Sequence, residues 1–433
     1  MSPTLLGIIG ILVLVVVIFS RMPVAYVMTL VGFVGFALQV SPEAAFKLLS
    51  RDFYSVYSSY GLTIIPLFIF MGQIAFNAGI SHRLYDSAHM MVGCYRGGLA
   101  TATVCACTAF GAVCGSSPAT AATMATVGLP EMKRFGYADE LATGSVAAGG
   151  SLGMLMPPSV VLIVYGILTE QSIGTLFVAG IVPAVFMTIM FALAIYVYCL
   201  VSPKQGPACE FHPWRERLGS LVHTLDIMLV FVVVMLGLFL GWFTPTEAGG
   251  VGAAAVLLVA LFRRQLTWAG FVKSIYETLR TSCMVLLLVA GATVFGHFLA
   301  VTRITFDVAN WVAAMDMPGY MVVAMIVLVY LIGGCFIDAL ALIMLTIPIF
   351  YPIILDLGYD PIWFGIIIVL VTQMGVITPP VGINVYVVNG IAGDVQLEKI
   401  FKGAMPFLLA LIVGTGLIVV FPQIALWLPN LMY

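Results

Sequence analysis

Long apolar runs alternate along the chain with short polar turns, and the alternation repeats. Runs such as 5–19, 227–240 and 407–421 carry no charge. They predict membrane-crossing helices, since a span needs about 20 mainly apolar residues. Helices are expected at 4–20 and 24–39 around Pro23, then an amphipathic helix whose Phe46, Leu49 and Phe53 recur at helical spacing with Lys47, Arg51 and Asp52 off the stripe. Such helices suit the membrane interface or the edge of a scaffold. Another helix follows at 61–79. Residues 97–129 hold two apolar segments too short to span, interrupted at Gly115-Ser116-Ser117-Pro118, which predicts a re-entrant hairpin. Residues 140–166 form a helix that must break at Pro157-Pro158, because proline has no N–H to donate. A closing helix spans 176–200.

The same order returns 222 positions on. Helices are expected at 226–242 and 247–262 around Pro245, then an amphipathic stretch (Trp268, Phe271, Ile275, with Lys273 and Glu277 off it) and a helix at 281–300. A hairpin at 319–350 is interrupted over 333–338, a helix at 362–391 breaks at Pro379-Pro380, and 403–428 closes the half. Pairing residue i with i + 222 brings Pro23 onto Pro245, Pro130 onto Pro352, Gly97 onto Gly319, Gly111 onto Gly333, Gly136-Tyr137 onto Gly358-Tyr359, and Gly153 onto Gly375. Of the 11 prolines in residues 1–211, 5 fall on prolines; composition alone gives about 0.5, so the halves are internal repeats. The division is a first repeat at 1–200 (scaffold helices 4–79, hairpin and broken helix 97–166, closing helix), a polar linker at 201–224 with Lys204, Glu210, Arg215, Glu216 and Arg217, and a second repeat at 225–433 (scaffold helices 226–300, hairpin and broken helix 319–391, closing helix).

Each half then makes five crossings plus a hairpin that crosses none. An odd number inverts the second half relative to the first. Charge placement tests this, because basic residues collect on the cytoplasmic face. One face receives Arg21, Arg83, Arg96, Lys133, Arg134, Lys204, Arg215, Arg217, Arg263, Arg264, Lys273, Arg280, Lys399 and Lys402; the other receives only Lys47, Arg51 and Arg303. The rich face is read as cytoplasmic, which puts both termini outside. The fold class is an all-α polytopic membrane protein of two inverted repeats.

Composition agrees. The chain of 433 residues is 62% hydrophobic and 8% charged, against about 25% charged in soluble domains. The net charge of −2 says nothing about nucleic acid, but no Lys/Arg-rich tract is there to bind it, so none is expected as a partner. Eight scattered cysteines, Cys209 among them, include no CxxC pair and read as small hydrophobes. Met1-Ser2-Pro3-Thr4 lacks the basic start of a signal peptide, so the first apolar run is read as a retained helix.

Interrupted helices at matching places in two inverted repeats point to a secondary transporter with its site where the repeats meet at mid-membrane. Hard cations such as sodium take oxygen ligands, and unwound backbone supplies them without a buried charge. In the first half the candidates are Ser116 and Ser117 at the hairpin tip with Gly153, Met156 and Pro157 at the break. Ser117-Pro118 has the order N-cap then N1, which aims the positive end of the second arm at the tip. Small residues over 115–122 also serve close helix packing. In the second half Gly334, Gly375, Thr378 and Pro379 are the candidates. Asp338 falls opposite Ser116, and a carboxylate in an apolar stretch marks function by default, while also fitting a helix N-terminal cap. Asn384 and Asn389 follow the second break and serve either substrate or interhelical hydrogen bonds. Arg303 reads as a surface residue and Glu247 as a helix cap.

At Gly115-Ser116-Ser117-Pro118-Ala119-Thr120, Gly153–Ser159, Gly334-Cys335-Phe336-Ile337-Asp338 with Pro348, and Thr378-Pro379-Pro380-Val381-Gly382-Ile383-Asn384, the chain resembles the large membrane subunit of tripartite ATP-independent periplasmic (TRAP) transporters. The resemblance covers essentially the whole chain. It implies an elevator-type ion transporter fold: a mobile domain of hairpins and broken helices held by a scaffold of the remaining helices. It further implies sodium-driven import of an organic acid (a dicarboxylate, sialic acid or sugar acid) across the bacterial inner membrane. Substrate would come from a soluble periplasmic binding protein, and a small four-helix membrane subunit would assist. By resemblance, Ser116, Gly153, Met156 and Pro157 form the first sodium site and Gly334, Gly375, Thr378 and Pro379 the second, and Asp338 matches an acidic position of the family's second hairpin; Ser117, Asp338 and Asn384 are the residues expected to face substrate. The chain opens on the first large-subunit helix, so the small subunit is expected to be a separate protein. A stand-alone sodium–dicarboxylate symporter of related architecture is the alternative. An intramembrane protease would need a histidine near Ser116 or Ser117, with His297 the candidate, or an acidic partner for Asp338.

Overall fold

The helices stop and start where prolines, glycines and capping side chains tell them to. The computed structural model describes residues 2–20, 22–208, 213–222, 224–314 and 317–432. Arg21, Cys209 and Glu210 lie outside the described residues. The first half contributes α1 (Pro3–Ile18), α2 (Val24–Gln39), α3 (Pro42–Ser58), α4 (Ile64–Asn77), α5 (Ile80–Val92), α6 (Gly98–Cys114), α7 (Ser117–Arg134), α8 (Asp139–Ser151), α9 (Val160–Thr169) and α10 (Ile173–Val201). The linker carries α11 (Trp214–Val222). The second half contributes α12 (Leu225–Phe239), α13 (Pro245–Phe262), α14 (Trp268–Val301), α15 (Ile304–Ala314), α16 (Gly319–Gly334), α17 (Ala339–Asp356), α18 (Pro361–Gly375), α19 (Ile383–Ala392), α20 (Leu397–Val420) and α21 (Gln423–Met432). Several starts share one chemistry, an oxygen-bearing cap followed by proline: Ser41-Pro42, Thr244-Pro245 and Asp360-Pro361. The cap oxygen satisfies an orphan N–H and the proline occupies a position that has none to lose. Glu247 completes a capping box with Thr244, as expected for a cap.

The structure departs from the sequence reading in several places. The amphipathic stretch and helix 281–300 are one helix, α14, of 34 residues. Its first-half counterpart breaks into α3 and α4 because Gly61 and Pro66 stand where the second half has Cys283 and Leu288. The buried face of α3 is Ala45, Leu48, Asp52 and Val56, so the apolar stripe is turned by about one residue; Phe46 is exposed and Asp52 is buried, 2.9 Å from His297 Nδ1. Helices α5 and α15, equivalent under the repeat, were not expected, since neither is apolar enough to stand out. The linker is partly helical: α11 docks on α5, where the Ser87 hydroxyl donates to the Ser220 carbonyl at 2.9 Å. The last helix breaks between α20 and α21 at Phe421, because Pro422 follows.

Among the described residues, six helices are individually long and apolar enough to cross a membrane: the α4 segment with its preceding 3-10 turn, α10, α13, α14, α17 and α20. α17 reaches 18 residues, longer than a hairpin arm was expected to be, because it continues through Pro352. Two groupings follow from packing. In the first, α2 lies along α14 and its repeat counterpart α13 lies along α4, with α4 and α14 meeting between them. In the second, the halves exchange elements: α7 packs on α19, and its counterpart α17 packs on α9. Closing helices α20 and α10 lie against the broken helices α8 and α18. Gly144 and Gly403 allow the first of these contacts, since a Cβ on Gly403 would fall 1.8 Å from the Glu140 carbonyl oxygen.

Candidate functional site

The first hairpin turns at Gly115, whose φ of +63° suits glycine. A Cβ there would also lie 2.5 Å from the Pro158 carbonyl oxygen, so tip and break are in contact. Val160 N–H donates to the Gly115 carbonyl at 3.4 Å, which ties the helix after the break to the tip. Helix α7 then starts one residue earlier than expected: Ser116 is the cap position, Ser117 is helical, and the Ser116 side chain makes no capping bond. Instead the Ser116 carbonyl accepts from Thr120 N at 3.0 Å and from Thr120 Oγ1 at 2.7 Å.

The break itself is a short 3-10 turn at Leu152–Met154 followed by Pro157-Pro158. Gly153 is clamped on two sides. A Cβ on it would lie 2.7 Å from Thr120 Oγ1 and 3.2 Å from the Ser116 carbonyl oxygen, and a Cβ on Gly111 would lie 2.6 Å from Gly153 Cα. The Ser159 hydroxyl donates to the Met154 carbonyl and caps α9 through Leu162 N. Ser116 and Gly153 are therefore brought together, with Pro157 and Pro158 buried beside them. The Met156 side chain faces elsewhere, into a lateral apolar pocket of about 240 Å³ with Cys105, Val185 and Phe231.

The second half repeats the contact with different furniture. A Cβ on Gly375 would lie 2.5 Å from Gly334 Cα and 2.6 Å from its carbonyl oxygen, so these two candidates touch backbone to backbone. Thr378 N–H donates to the Gly375 carbonyl at 3.2 Å, and Thr378 Oγ1 to the Met374 carbonyl at 2.6 Å. Leu342 stands where the first half has Thr120. Pro379, Pro380 and Val381 are exposed, whereas Pro157, Pro158 and Ser159 are buried. One break is enclosed and the other opens to the surface.

Between the tips lies a cavity of about 140 Å³. Its polar wall consists of Ser116 and Ser117 from the first tip, Asp338 from the second, Gln73 from α4 and Thr281 from α14; Met154, Val160 and Val161 add apolar wall from the first break. Asp338 is half-buried and does cap α17, its Oδ2 accepting from Leu340 N at 3.1 Å, while also facing the cavity. Both readings of that residue hold at once. Asn384 does not line the cavity. It is fully buried, accepts from Ser117 Oγ at 2.9 Å and donates to the Ala147 carbonyl at 2.9 Å, so it bolts α19 to α7 and α8. Asn389 is likewise a local tie, donating to the Val395 carbonyl at 2.8 Å. Sequence reasoning missed Thr120, Gln73 and Thr281. Gln73 carried a usable signal, a lone amide in an apolar run; threonines are too common in such helices to carry one.

Fold and site together define a class: an all-α polytopic membrane protein whose two repeats interlock beside a cavity lined from both hairpin tips. The sequence matches the family described as "Tripartite ATP-independent periplasmic transporter, DctM component" over residues 11–424. The chain belongs to this family. It is 36% identical over 394 residues to the C4-dicarboxylate TRAP transporter large permease protein DctM of Pseudomonas aeruginosa, covering 91% of each chain. It is 31% identical over 420 residues to the sialic acid TRAP transporter large permease protein SiaM of Vibrio cholerae, covering 96% of each. It is also 35% identical over 371 residues to the isethionate TRAP transporter permease protein DctMQ of Oleidesulfovibrio alaskensis, covering 84% of this chain and 57% of that one. Among solved structures it is similar to the YdaH transporter of Alcanivorax borkumensis, with a TM-score of 0.63, 14% identity and coverage of 98% of this chain and 100% of that one, a likeness of fold alone. The chain is a transporter permease subunit, not an enzyme, and His297 pairs with Asp52 rather than approaching a serine.

Proposed function

We propose that this chain is the large membrane subunit of a sodium-driven TRAP importer that moves an organic acid across the bacterial inner membrane by an elevator motion. The observation that carries the reading is the matched contact of hairpin and break, Ser116 on Gly153 and Gly334 on Gly375, with the cavity between the two tips. Ser116, Gly153, Met156 and Pro157 would offer backbone oxygens to one sodium ion, with Thr120 Oγ1 close by; Gly334, Gly375, Thr378 and Pro379 would serve a second. Neither site needs a carboxylate, which suits a cation that must enter and leave on each cycle. Substrate would sit against Asp338, Ser116 and Ser117.

In this reading the mobile block is α6–α10 with α16–α20, since the closing helices pack on the broken ones. The static block is α1–α4 with α12–α14, and the second half is inverted relative to the first, with both termini periplasmic. A periplasmic binding protein would deliver substrate, and a small four-helix membrane subunit would complete the complex. The named relatives act on C4-dicarboxylates, sialic acid and isethionate, so these are the substrates to try first.

Proteoliposomes holding the chain, its small subunit and a binding protein should take up labelled substrate only under an inward sodium gradient. Asp338→Ala should abolish that uptake without changing membrane insertion. Full sodium-driven uptake by the chain alone would replace this reading with a stand-alone symporter, and wild-type uptake by Asp338→Ala would remove that residue from the site.

A further inference from the structure

The elbow between α2 and α3 and its repeat counterpart between α13 and α14 differ in charge, as inverted repeats do when basic residues collect on one face. In the first half the elbow reads Ser41-Pro42-Glu43. Ser41 caps α3, accepting from Ala44 N at 3.2 Å, and Glu43 pairs with Lys47 at 2.7 Å. In the second half the same three positions are Arg263-Arg264-Gln265. Arg263 reaches Asp226 with Nε at 2.7 Å, on a carboxylate that Arg83 already engages through both oxygens. Among the described residues Arg263 has no other partner, and exposed Arg264 has no ion pair. Since the first elbow folds without them, these charges are not needed to turn the chain.

The residues that flank the two arginines in sequence line an apolar groove of about 200 Å³: Leu257, Leu261, Leu266, Thr267, Trp268 and Phe271. The groove runs off the outer face of α13, where Leu258, Leu261 and Phe262 are exposed. Trp268 lies 5.6 Å from Phe271, ring to ring and tilted by 33°, and remains 77% exposed. The equivalent Phe46 of the first half also has an aromatic neighbour, Phe33 at 4.9 Å, and is likewise exposed, but no cation pair stands at its elbow. An aromatic ring at the level where a hydrocarbon groove meets a pair of cations is the arrangement of a membrane-interface anchor.

We infer that the α13–α14 elbow is a binding site for an anionic phospholipid. An acyl chain lies in the groove along α13, Trp268 packs on the glycerol region, and Arg264 with the free terminal nitrogens of Arg263 holds the phosphate. Charge complementarity selects this occupant over a neutral lipid. The groove's continuity with the apolar outer face of α13 selects it over a soluble anion. The site ties the static block to one leaflet at the point where the arm of α14 leaves it. It rests on the proposed topology only for which leaflet supplies the lipid.

The test is quenching of Trp268 in mixed detergent micelles by brominated-chain phosphatidylglycerol or phosphatidylcholine, taking the Trp268 share as the difference from Trp268→Phe. For the wild-type chain, half-quenching should need about fivefold less phosphatidylglycerol than phosphatidylcholine, the contribution of one interfacial arginine. Arg264→Gln should reduce the preference, Arg263→Gln/Arg264→Gln should bring the two close to equal, and Arg264→Lys should keep the preference. Raising salt to about 1 M should erase it in the unmodified chain, a readout independent of any variant. Equal quenching by the two lipids in the wild-type chain overturns the inference. So does a preference that survives in both Arg264→Gln and Arg263→Gln/Arg264→Gln. Complete protection of Trp268 from both lipids by the small subunit assigns the groove to that protein instead. None of these readouts involves transport, so failure here leaves the proposed function standing and the reverse also holds.

Discussion

At the scale of residues, the site is held by atoms that are missing. Gly153 and Gly375 sit at matching positions, but their neighbours differ in kind: Gly153 faces the hydroxyl of Thr120, whereas Gly375 faces the backbone of Gly334. A threonine side chain yields by rotation and a helix backbone does not. Gly375→Ala is therefore expected to cost about 2–3 kcal/mol of stability by overpacking, with loss of sodium-dependent uptake. Gly153→Ala should fold at smaller cost yet weaken sodium dependence, and Gly250→Ala, with nothing within 4 Å, serves as the control. Thermal unfolding and uptake measured on all three would decide it; equal effects at 153 and 375 would contradict the asymmetry. Asn384 and Asp338 separate along another line. Asn384→Ala leaves Ser117 and the Ala147 carbonyl without their partner in a dry interior, a loss of about 2 kcal/mol. Its expected signature is a lowered unfolding temperature with residual uptake. Asp338→Ala should show the reverse weighting, a loss of about 1 kcal/mol from the missing α17 cap and no uptake, because Asp338 also faces the cavity.

Elements show what the sequence could and could not say about the fold. Helices bounded by proline or glycine were legible, since Pro23, Pro157-Pro158, Pro245 and Pro379-Pro380 remove backbone donors at fixed places whatever surrounds them. The hairpin tips and breaks were legible for the same reason, and with them the contacts of Ser116 with Gly153 and of Gly334 with Gly375. Continuity was not. Whether α3 and α4 are one helix or two hangs on Gly61 and Pro66, and a periodicity reading of two similar stretches hides that difference. The amphipathic α5, α11 and α15 depend on docking partners for their burial, and a partner cannot be read from the helix alone. The cavity wall was half legible: Gln73 and Thr281 face it only because α4 and α14 meet behind the hairpin tips. One tie among these elements can be tested directly. Asp226 joins α12 to α5 through Arg83 and to α13 through Arg263, with Arg83 and Asp226 only 14% and 16% exposed. Asp226→Leu should lower stability by about 3 kcal/mol, because it withdraws the carboxylate from two guanidinium groups. Adding Arg83→Met should recover part of that loss in the same thermal-unfolding assay; an additive double variant would show that the tie contributes nothing of its own.

At the scale of the whole molecule, the two groupings make a mechanical claim. The halves exchange elements in the second grouping, α7 with α19 and α17 with α9, so neither half can move its hairpin alone. Between the groupings, the cavity places Gln73 and Thr281 of α4 and α14 opposite Ala119 and Asp338. An elevator motion must slide these walls past one another, while contacts inside the interlocked block stay fixed. In a cysteine-free background, needed because the chain carries eight cysteines, Gln73→Cys with Ala119→Cys should be bridged by a short reversible bis-thiosulfonate. Uptake should fall to background and return on reduction. Thr108→Cys with Thr188→Cys replaces two hydroxyls 2.8 Å apart on α6 and α10, both inside the proposed mobile block. Bridging that pair should leave uptake intact. If both cross-links stop transport, the moving parts include a joint between α6 and α10; if neither does, the cavity walls do not slide, and a local opening of one hairpin would have to carry the substrate across.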